Sequence, residues 1–397
     1  MSVIDLLIVT PLFAILFNIF KIYTPFAWYI PIFVMLLFLI KELMSNKIKI
    51  MSKKNIPLFL YFLLITLSCF FAQYKYEAFI GYNFEGLLTN IVYFGFFYVG
   101  LKTAKEDMFI DIKKIIIVSV VLCLLMIFKT NITYKLFSMR EEDYYFIQGT
   151  FDQFNHAAYY LLIANICAIF MCLKTNKTIY YLINSVLIFT LILNDTFGAY
   201  IAYVITLIGI IIYYMVRKEK KRELLIIVFT FILMTAVTNR NNYNMFLNNI
   251  KGVETDANTF IETNSIDTIG TNRGALWKYA FKEIKENPIF GCGYENINYK
   301  YSKYGVIADK PHNIVLELCF ANGIPAMIAF FSFVGLIILS NLKKIKELKS
   351  IELLSLIIIL SYLINSLVGN QTLYVAPYFY FFLGFCAKQY YSKEYFN

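Results

Sequence analysis

Apolar runs of about 17–20 residues, the length that spans a bilayer as a helix, recur along the chain with short polar segments between them. This pattern predicts an all-α polytopic membrane protein with about twelve transmembrane helices. We place these helices at roughly 3–20, 25–40, 56–72, 87–101, 115–129, 156–173, 179–194, 197–216, 223–238, 313–340, 351–369 and 374–390.

Two polar segments break the pattern by their length, 130–155 and 239–312. Connections this long usually carry structure or function of their own. The chain therefore divides into transmembrane helices 1–9 over 1–238, a large loop over 239–312, and transmembrane helices 10–12 over 313–397.

The second half of the large loop has helical periodicity. Leu276, Ala280 and Ile284 mark one apolar face, and the pattern predicts a helix over about 272–286. Thr271 or Asn272 is suited to cap this helix, and Asn287-Pro288 is suited to end it.

Composition and charge orient the bundle. Only 16% of the residues are charged and the mean hydropathy is +0.63. The net charge of +10 comes mainly from lysines and arginines in the short segments 41–55, 102–114, 174–178, 217–222 and 341–350. The positive-inside rule places these segments and both termini in the cytoplasm. The two long loops then lie on the outer side of the membrane, and no nucleic-acid partner is expected.

The strongest of these basic segments is Arg-Lys-Glu-Lys-Lys-Arg at 217–222. It is interpreted as a topology signal, with an anionic-lipid site as the alternative.

Scarce ionisable side chains collect on the predicted outer side. Both histidines, His156 and His312, begin predicted helices, and Arg140, Arg240 and Arg273 lie in or border the long loops. Arginine binds phosphate through a fixed fork of donors. Histidine accepts a proton near neutral pH. Together they suit transfer from a phosphate-activated donor to a hydroxyl group at the membrane surface.

Each of these residues also has an ordinary structural interpretation. Arg273 fits a surface arginine, His312 fits an interfacial histidine or helix cap, and Asn155 with His156 fits a helix start at the interface. Glu317 lies inside a predicted span, where an acid is costly. It either pairs with a neighbour or lines a polar cavity.

Cofactor signals are weak in the sequence. Glu141–Asp143 is an acid pair of the kind that can hold a divalent metal, but such pairs are common by chance. The Walker loop, the dinucleotide-binding glycine motif and paired His/Cys spacings are missing from the sequence. We therefore expect neither a metal nor another cofactor. Asp195–Gly198 fits a simple turn between two short spans.

The order of these residues resembles the signature of the O-antigen ligase/polymerase superfamily. The main block runs from 273 to 323 and reads Arg273-x3-Trp277-x2-Ala280, Asn287-Pro288-x2-Gly291-x-Gly293, His312-Asn313-x2-Leu316 and Gly323. A shorter block in the first long loop reads Gly149-Thr150-Phe151 and continues to Asn155 and Ala158.

The resemblance implies a helical architecture of the C-type glycosyltransferases, with a large outer loop containing short helices. It implies an undecaprenyl-pyrophosphate-linked oligosaccharide as donor and acceptor, handled on the outer face of the membrane with no metal or nucleotide. Arg273 and His312 would be the catalytic pair. The expected contacts to pyrophosphate and glycan are Arg140, Asn155, Trp277, Asn313 and Glu317.

Many members of that superfamily carry a Ser-Arg-Gly-like element in the hairpin between two short spans. This chain has Thr196-Phe197-Gly198 there, so the arginine is missing. Arg240 and the lysines of the outer loops are the candidates to replace it.

Three functions fit these observations. The first is an inverting polymerase of capsule, exopolysaccharide or O-antigen repeat units, and the second is a ligase that transfers a lipid-linked glycan to another acceptor. The third is a flippase or transporter of lipid-linked glycans, which would place ionisable residues near the bilayer midplane rather than at its outer edge. Besides the bilayer, a chain-length regulator or a flippase is a further partner compatible with the resemblance.

Overall fold

A computed structural model describes the chain apart from residues 1, 21, 23–24, 46–52, 82–83, 128–148, 152, 241–250, 253, 257, 260, 263–266, 268, 349 and 392–397. Within the described part the regular elements are helices, and no strand occurs there. This confirms the prediction of an all-α membrane protein. Among the described residues, five helices are long and apolar enough to cross a membrane, and four shorter apolar helices accompany them.

The main helices of the described part are labelled α1 to α16. They are α1 (Val3–Ile19), α2 (Pro25–Met44), α3 (Ile56–Phe71), α4 (Lys75–Phe79), α5 (Leu87–Lys102), α6 (Lys105–Ile127), α7 (Phe154–Thr175), α8 (Thr178–Leu193), α9 (Phe197–Val216), α10 (Lys221–Arg240), α11 (Ile269–Glu286), α12 (Ile297–Ser302), α13 (Ile314–Asn322), α14 (Ile324–Lys343), α15 (Ser350–Ser366) and α16 (Ala376–Tyr391). A 3₁₀ turn over Lys53–Asn55 precedes α3.

The predicted span at 115–129 begins too late. Helix α6 starts at Lys105, so most of the charged segment predicted as a loop forms its first turns. Three of these charges are paired within the bundle, since Lys105 binds Glu352 at 2.6 Å and Lys114 contacts Asp5 and Asp111. Paired charges therefore let the helix continue through a segment that its polarity alone assigns to a loop.

The predicted span at 313–340 is broken at Gly323 into α13 and α14. Gly323 has a φ of +86°, a conformation that side chains other than glycine rarely adopt. A Cβ at this position would also collide with the carbonyl group of Ile289. The break therefore arises from a close backbone contact with the loop before α12.

Helix α7 is the centre of the bundle and is buried on all sides, as expected for a helix that is apolar around its whole circumference. Its Asn165 amide donates to the carbonyl groups of Leu161 and Leu187, which ties α7 to α8. Helices α5 and α16 pack closely because Gly100 and Gly384 leave room for the facing backbones.

The basic segments gather at one end of the bundle. Lys54 donates to the carbonyl group of Tyr390 near the end of α16, and Arg217 after α9 donates to that of Lys346 before α15. Lys388 on α16 contacts the carbonyl group of Thr103. The starts of α2, α7, α13 and α16 lie at the other end, where polar residues enclose a cavity.

Candidate functional site

The glycines of the signature block attach the large loop to the bundle. Cys292 and Gly293 donate through their backbone N–H groups to the carbonyl groups of Phe320 and Ala321, at 3.0 and 2.7 Å. Ile324 donates in return to the carbonyl group of Pro288 at 2.8 Å. This part of the motif is therefore structural, because it fixes the segment after α11 against the α13–α14 break.

Replacing Gly323 with alanine should lower the melting temperature and the yield of folded protein. An alanine held in this glycine-only conformation costs of the order of 1–3 kcal/mol, and its Cβ would also strike Ile289. Thermal unfolding of purified protein in detergent checks this. Gly335→Ala is the matched control, since a Cβ at Gly335 in α14 meets nothing within 4 Å. Equal melting temperatures for the two variants would contradict the assignment.

Helix α11 positions Arg273 and Trp277, two residues of the signature block. Its Ala280 is fully buried, and the carbonyl group of Leu276 accepts a hydrogen bond from Tyr301 in α12 at 3.0 Å. Trp277 donates from Nε1 to the carbonyl group of Pro311 at 2.9 Å. Trp277 therefore anchors the residue immediately before His312, and Arg273 lies one helical turn before Trp277.

His312 lies in an unusual backbone conformation, with a φ of +52°. Such a conformation is uncommon outside glycine, and it is maintained only where surrounding contacts fix it. Asn313 provides such contacts, because its Oδ1 accepts from the backbone N–H groups of Val315 and Leu316 and its Nδ2 donates to the carbonyl group of Leu367. Asn313 is therefore the cap of α13, and the cap interpretation of His312 is wrong.

The ring of His312 contacts a single amide. Its Nδ1 lies 3.2 Å from Nδ2 of Asn370 in the α15–α16 loop, and Oδ1 of the same amide has no partner among the described residues. A half-turn of the amide exchanges the two atoms, so that Oδ1 accepts a hydrogen bond from Nδ1–H. In that arrangement Nε2 of His312 carries the lone pair needed to accept a proton.

His312 lines a polar cavity of about 230 Å³. The cavity is lined by Glu85 before α5, by His156 in the first turn of α7, by residues 309, 310 and 312, and by residues 370 and 372–374. His156 is buried and stacks on Tyr374 with ring centroids 4.8 Å apart. Both histidines of the chain therefore face one cavity, a juxtaposition that their separation in sequence does not indicate.

A buried ion cluster forms the inner wall of the cavity. Lys310 contacts Glu85, lies 3.4 Å from Glu317 and donates to the carbonyl group of Gln371 at 2.7 Å. Glu85 also accepts from the backbone N–H of Leu373 at 2.6 Å. Glu317 therefore pairs with a neighbour, one of the two interpretations open from sequence. It lines a smaller, water-sized cavity that adjoins the first.

The surroundings shift the pKa values of Lys310 and His312 in opposite directions. Burial opposes the charge of Lys310, but Glu317 and Glu85 raise its pKa well above the ordinary lysine value. The two carboxylates therefore favour the protonated form of Lys310. Burial lowers the pKa of His312, and the positive charges of Arg273 and Lys310 lower it further. His312 is therefore neutral near pH 7 and able to accept a proton.

Arg273 is half-buried, and its positive charge is one of the causes that lower the pKa of His312. Within the described part of the chain it has no hydrogen bond and no ion pair. Burial lowers its pKa, yet a guanidinium group stays protonated in proteins. A partly buried and unpaired cation in an apolar protein is costly, and an anionic ligand would relieve that cost.

The remaining predicted site residues have different positions. Asn155 is partly buried in the first turn of α7, but it does not line the cavity, and Gln153 rather than Asn155 is the capping position. Arg140 and Glu141–Asp143 fall outside the described residues. Arg240 ends α10, and its side chain is likewise outside the description.

The cavity contains residues that the sequence analysis did not single out, chiefly Lys310, Glu85 and Asn370. Lys310 directly precedes Pro311-His312, and this position beside the signature block could have identified it as a site residue from the sequence. Asn370 lies in the short polar segment before the last apolar run. This position indicates a site residue less clearly than the position of Lys310 does. Glu85 lies far from the signature block in sequence, and only the fold brings it to the cavity.

Among the described residues, no group of three or more His, Cys, Asp or Glu side chains is arranged to hold a metal ion.

Part of the sequence that contains this site also matches a known protein family. A family model described as O-antigen ligase matches residues 182–331. The matched segment runs from α8 into α14, and it includes Arg273, Trp277, His312 and Glu317. No curated protein matches the chain.

Proposed function

Because the chain belongs to the O-antigen ligase/polymerase superfamily, we propose that it is an inverting glycosyltransferase. It polymerises undecaprenyl-pyrophosphate-linked oligosaccharide repeat units into a cell-surface polysaccharide such as a capsule, an exopolysaccharide or an O-antigen. The observation that carries the proposal is His312 at a polar cavity of an apolar bundle, with the positive charge of Arg273, which has no ion pair among the described residues, helping to lower the pKa of His312.

Arg273 would bind the diphosphate of the donor. Its fork of N–H groups matches phosphate oxygens, and its charge opposes the negative charge that grows on the departing lipid diphosphate. Arg140 would provide a second contact to this group. The missing arginine at Phe197 leaves Arg240 and the lysines of the outer loops as further candidates.

His312 would accept the proton of the attacking hydroxyl group through Nε2. The bond between the anomeric carbon and the diphosphate oxygen breaks as the bond to the acceptor oxygen forms. Attack opposite the leaving group inverts the anomeric carbon. Trp277, Asn313 and Asn370 would hold His312 in place, while Glu317 would act through Lys310.

In the membrane, the proposal places both termini in the cytoplasm and the cavity at the outer face of the cytoplasmic membrane. The clustering of the basic segments at the end of the bundle opposite the cavity supports this orientation. The proposal also includes about twelve transmembrane helices in a C-type arrangement, with a chain-length regulator or flippase as candidate partners.

The test uses purified protein in nanodiscs with a lipid-diphosphate-linked repeat unit. A polymerase produces a ladder of lipid-linked products, each longer by one repeat, and releases lipid diphosphate. A lack of any longer glycan together with movement of the intact substrate across a liposome membrane would indicate a transporter instead.

The description of the matching family favours a ligase as the second candidate. A ligase uses the same donor and the same two residues, but it transfers the glycan to a different lipid or to a protein. Addition of such an acceptor would then yield one discrete product and no ladder.

Turnover should continue in the presence of EDTA. The proposed steps use Arg273 to oppose charge on the diphosphate and His312 to move the proton, so they require no divalent cation. The measurement is the initial rate of product formation with and without EDTA, and with magnesium or manganese added back. Loss of activity in EDTA and its return with either metal would reassign the chemistry to a metal-dependent transferase.

A further inference from the structure

The shorter signature block helps to form an aromatic wall of the polar cavity. The ring of His156 stacks on Tyr374 with centroids 4.8 Å apart, and Trp28 packs edge-on against the same tyrosine at 5.1 Å. Trp28 also packs against Phe151 at 4.9 Å and donates from Nε1 to the carbonyl group of Thr150 at 3.4 Å. The block before α7 therefore supports the wall from behind, and it fixes the position of His156 in the cavity.

His156 brings unused hydrogen-bonding capacity to this wall. It is 9% exposed, and its Nδ1 has no partner among the described residues. A buried polar atom without a partner is costly, so a hydroxyl group bound in the cavity would stabilise this ring. Asn370 and Thr372 also line the cavity and add an amide and a hydroxyl group. The lining therefore suits a ligand that is rich in hydroxyl groups.

The size of the cavity limits this ligand. A cavity of about 150 Å³ in another protein holds one benzene ring, and the polar cavity has a volume of about 230 Å³. It therefore holds one sugar ring with its hydroxyl groups, but it does not hold two such rings side by side.

Charge limits the ligand further. Lys310 lines the cavity, but its ammonium group contacts Glu85 and donates to the carbonyl group of Gln371 at 2.7 Å. Its third donor serves Glu317, whose carboxylate lies 3.4 Å away. Asp309 also lines the cavity, is exposed, and has no ion pair among the described residues. A carboxylate on the ligand would therefore meet the charge of Asp309 and would find no free donor on Lys310.

We propose that the cavity binds the terminal sugar of the acceptor, that this sugar is neutral rather than acidic, and that His156 and Asp309 determine this preference. The inference rests on the proposed function for the identity of the acceptor, and it adds the chemical class of its last sugar. His156 would bind a hydroxyl group of the ring, while Asp309 would accept from hydroxyl groups and repel a carboxylate. Because His312 lines the same cavity, the attacking hydroxyl group of this ring would lie beside the proposed base.

The test is saturation-transfer NMR of the protein in nanodiscs, a method that detects weak binding. The probes are the methyl glycosides of glucose, galactose and N-acetylglucosamine, each paired with the corresponding uronate, so that the members of a pair differ only at C6. At least one neutral glycoside should bind, and its acidic partner should bind several-fold more weakly. His156→Phe keeps a ring that can stack on Tyr374 but removes both nitrogens, so it should weaken binding of the neutral glycoside several-fold.

Asp309→Asn is a second variant, at an exposed position where a change is well tolerated by the fold. It should bring binding of the acidic glycosides close to that of their neutral partners. Glu286→Gln is the matched control, because Glu286 is exposed at the end of α11 and does not line the cavity. This control removes one negative charge from the same loop and should keep the wild-type preference.

An acidic glycoside that binds as strongly as its neutral partner, equal preference in Asp309→Asn and Glu286→Gln, or no binding of any glycoside would overturn the inference. Wild-type binding by folded His156→Phe would do the same. The assay needs no turnover, so it separates the sugar pocket from the proposed function. Wild-type protein that builds a ladder of glycans but shows no preference contradicts the neutral-sugar pocket alone. The expected binding pattern without glycan extension by any repeat unit supports the pocket and contradicts the polymerase.

Discussion

Arg273→Lys should reduce glycan transfer by about 10²–10³-fold, the range seen when one preorganised donor to a developing negative charge is lost. Lysine keeps the positive charge but replaces the planar fork with a point charge. The rate loss should therefore occur without a loss of folded protein. Single-turnover transfer from a lipid-diphosphate glycan measures the rate, and thermal unfolding of the same preparation measures stability.

Arg217→Lys makes the same chemical change at the opposite end of the bundle. Arg217 is exposed and contacts Glu219 and the carbonyl group of Lys346. Its variant should retain the wild-type rate. Wild-type turnover in Arg273→Ala would remove Arg273 from the mechanism.

His312→Ala should slow transfer by about 10²–10⁴-fold, as expected for loss of a general base, while binding of the donor persists because Arg273 remains. The wild-type rate should rise with pH as His312 loses its proton. Burial and the charge of Arg273 lower the pKa of His312 below its ordinary value of 6.5, so the rise should occur at a lower pH than for an ordinary histidine. The measurement is single-turnover transfer against pH for the wild type and the variant.

A substitution of Asn370 should change the pKa of His312 in a defined direction. Asn370→Asp places a negative charge beside Nδ1 of His312, so it should raise the pKa of His312 and move the pH profile upward. Asn370→Leu removes the contact without adding a charge and should lower the rate. If His312→Ala keeps most of its activity at every pH, the mechanism must rely on Arg273 alone.

Most of the helices follow from sequence because apolar length is a local signal. The predicted edges of α1, α3 and α9 lie within about one residue of the observed ones. The break at Gly323 was not predicted. Its cause is a backbone contact with Ile289, and a contact between segments far apart in sequence leaves no mark on local hydropathy.

The candidate site was predictable only where its residues lie near one another in sequence. Trp277 and His312 belong to one signature block, and their contact through Pro311 agrees with that grouping. Lys310 and Glu85 form a buried pair that joins the end of the large loop to the start of α5. Ion pairing of this kind is specified by the tertiary fold, so no periodicity of the sequence indicates it.

The most direct test of the account is one reaction with two readouts. Purified protein is given a lipid-diphosphate-linked repeat unit, and both the released lipid diphosphate and the anomeric configuration of each new linkage are determined. We expect one lipid diphosphate released per linkage formed and inversion at every new linkage, with both products lost in folded Arg273→Ala and His312→Ala. Retention of configuration, or release of diphosphate that persists in both variants, would contradict transfer at the His312–Arg273 site.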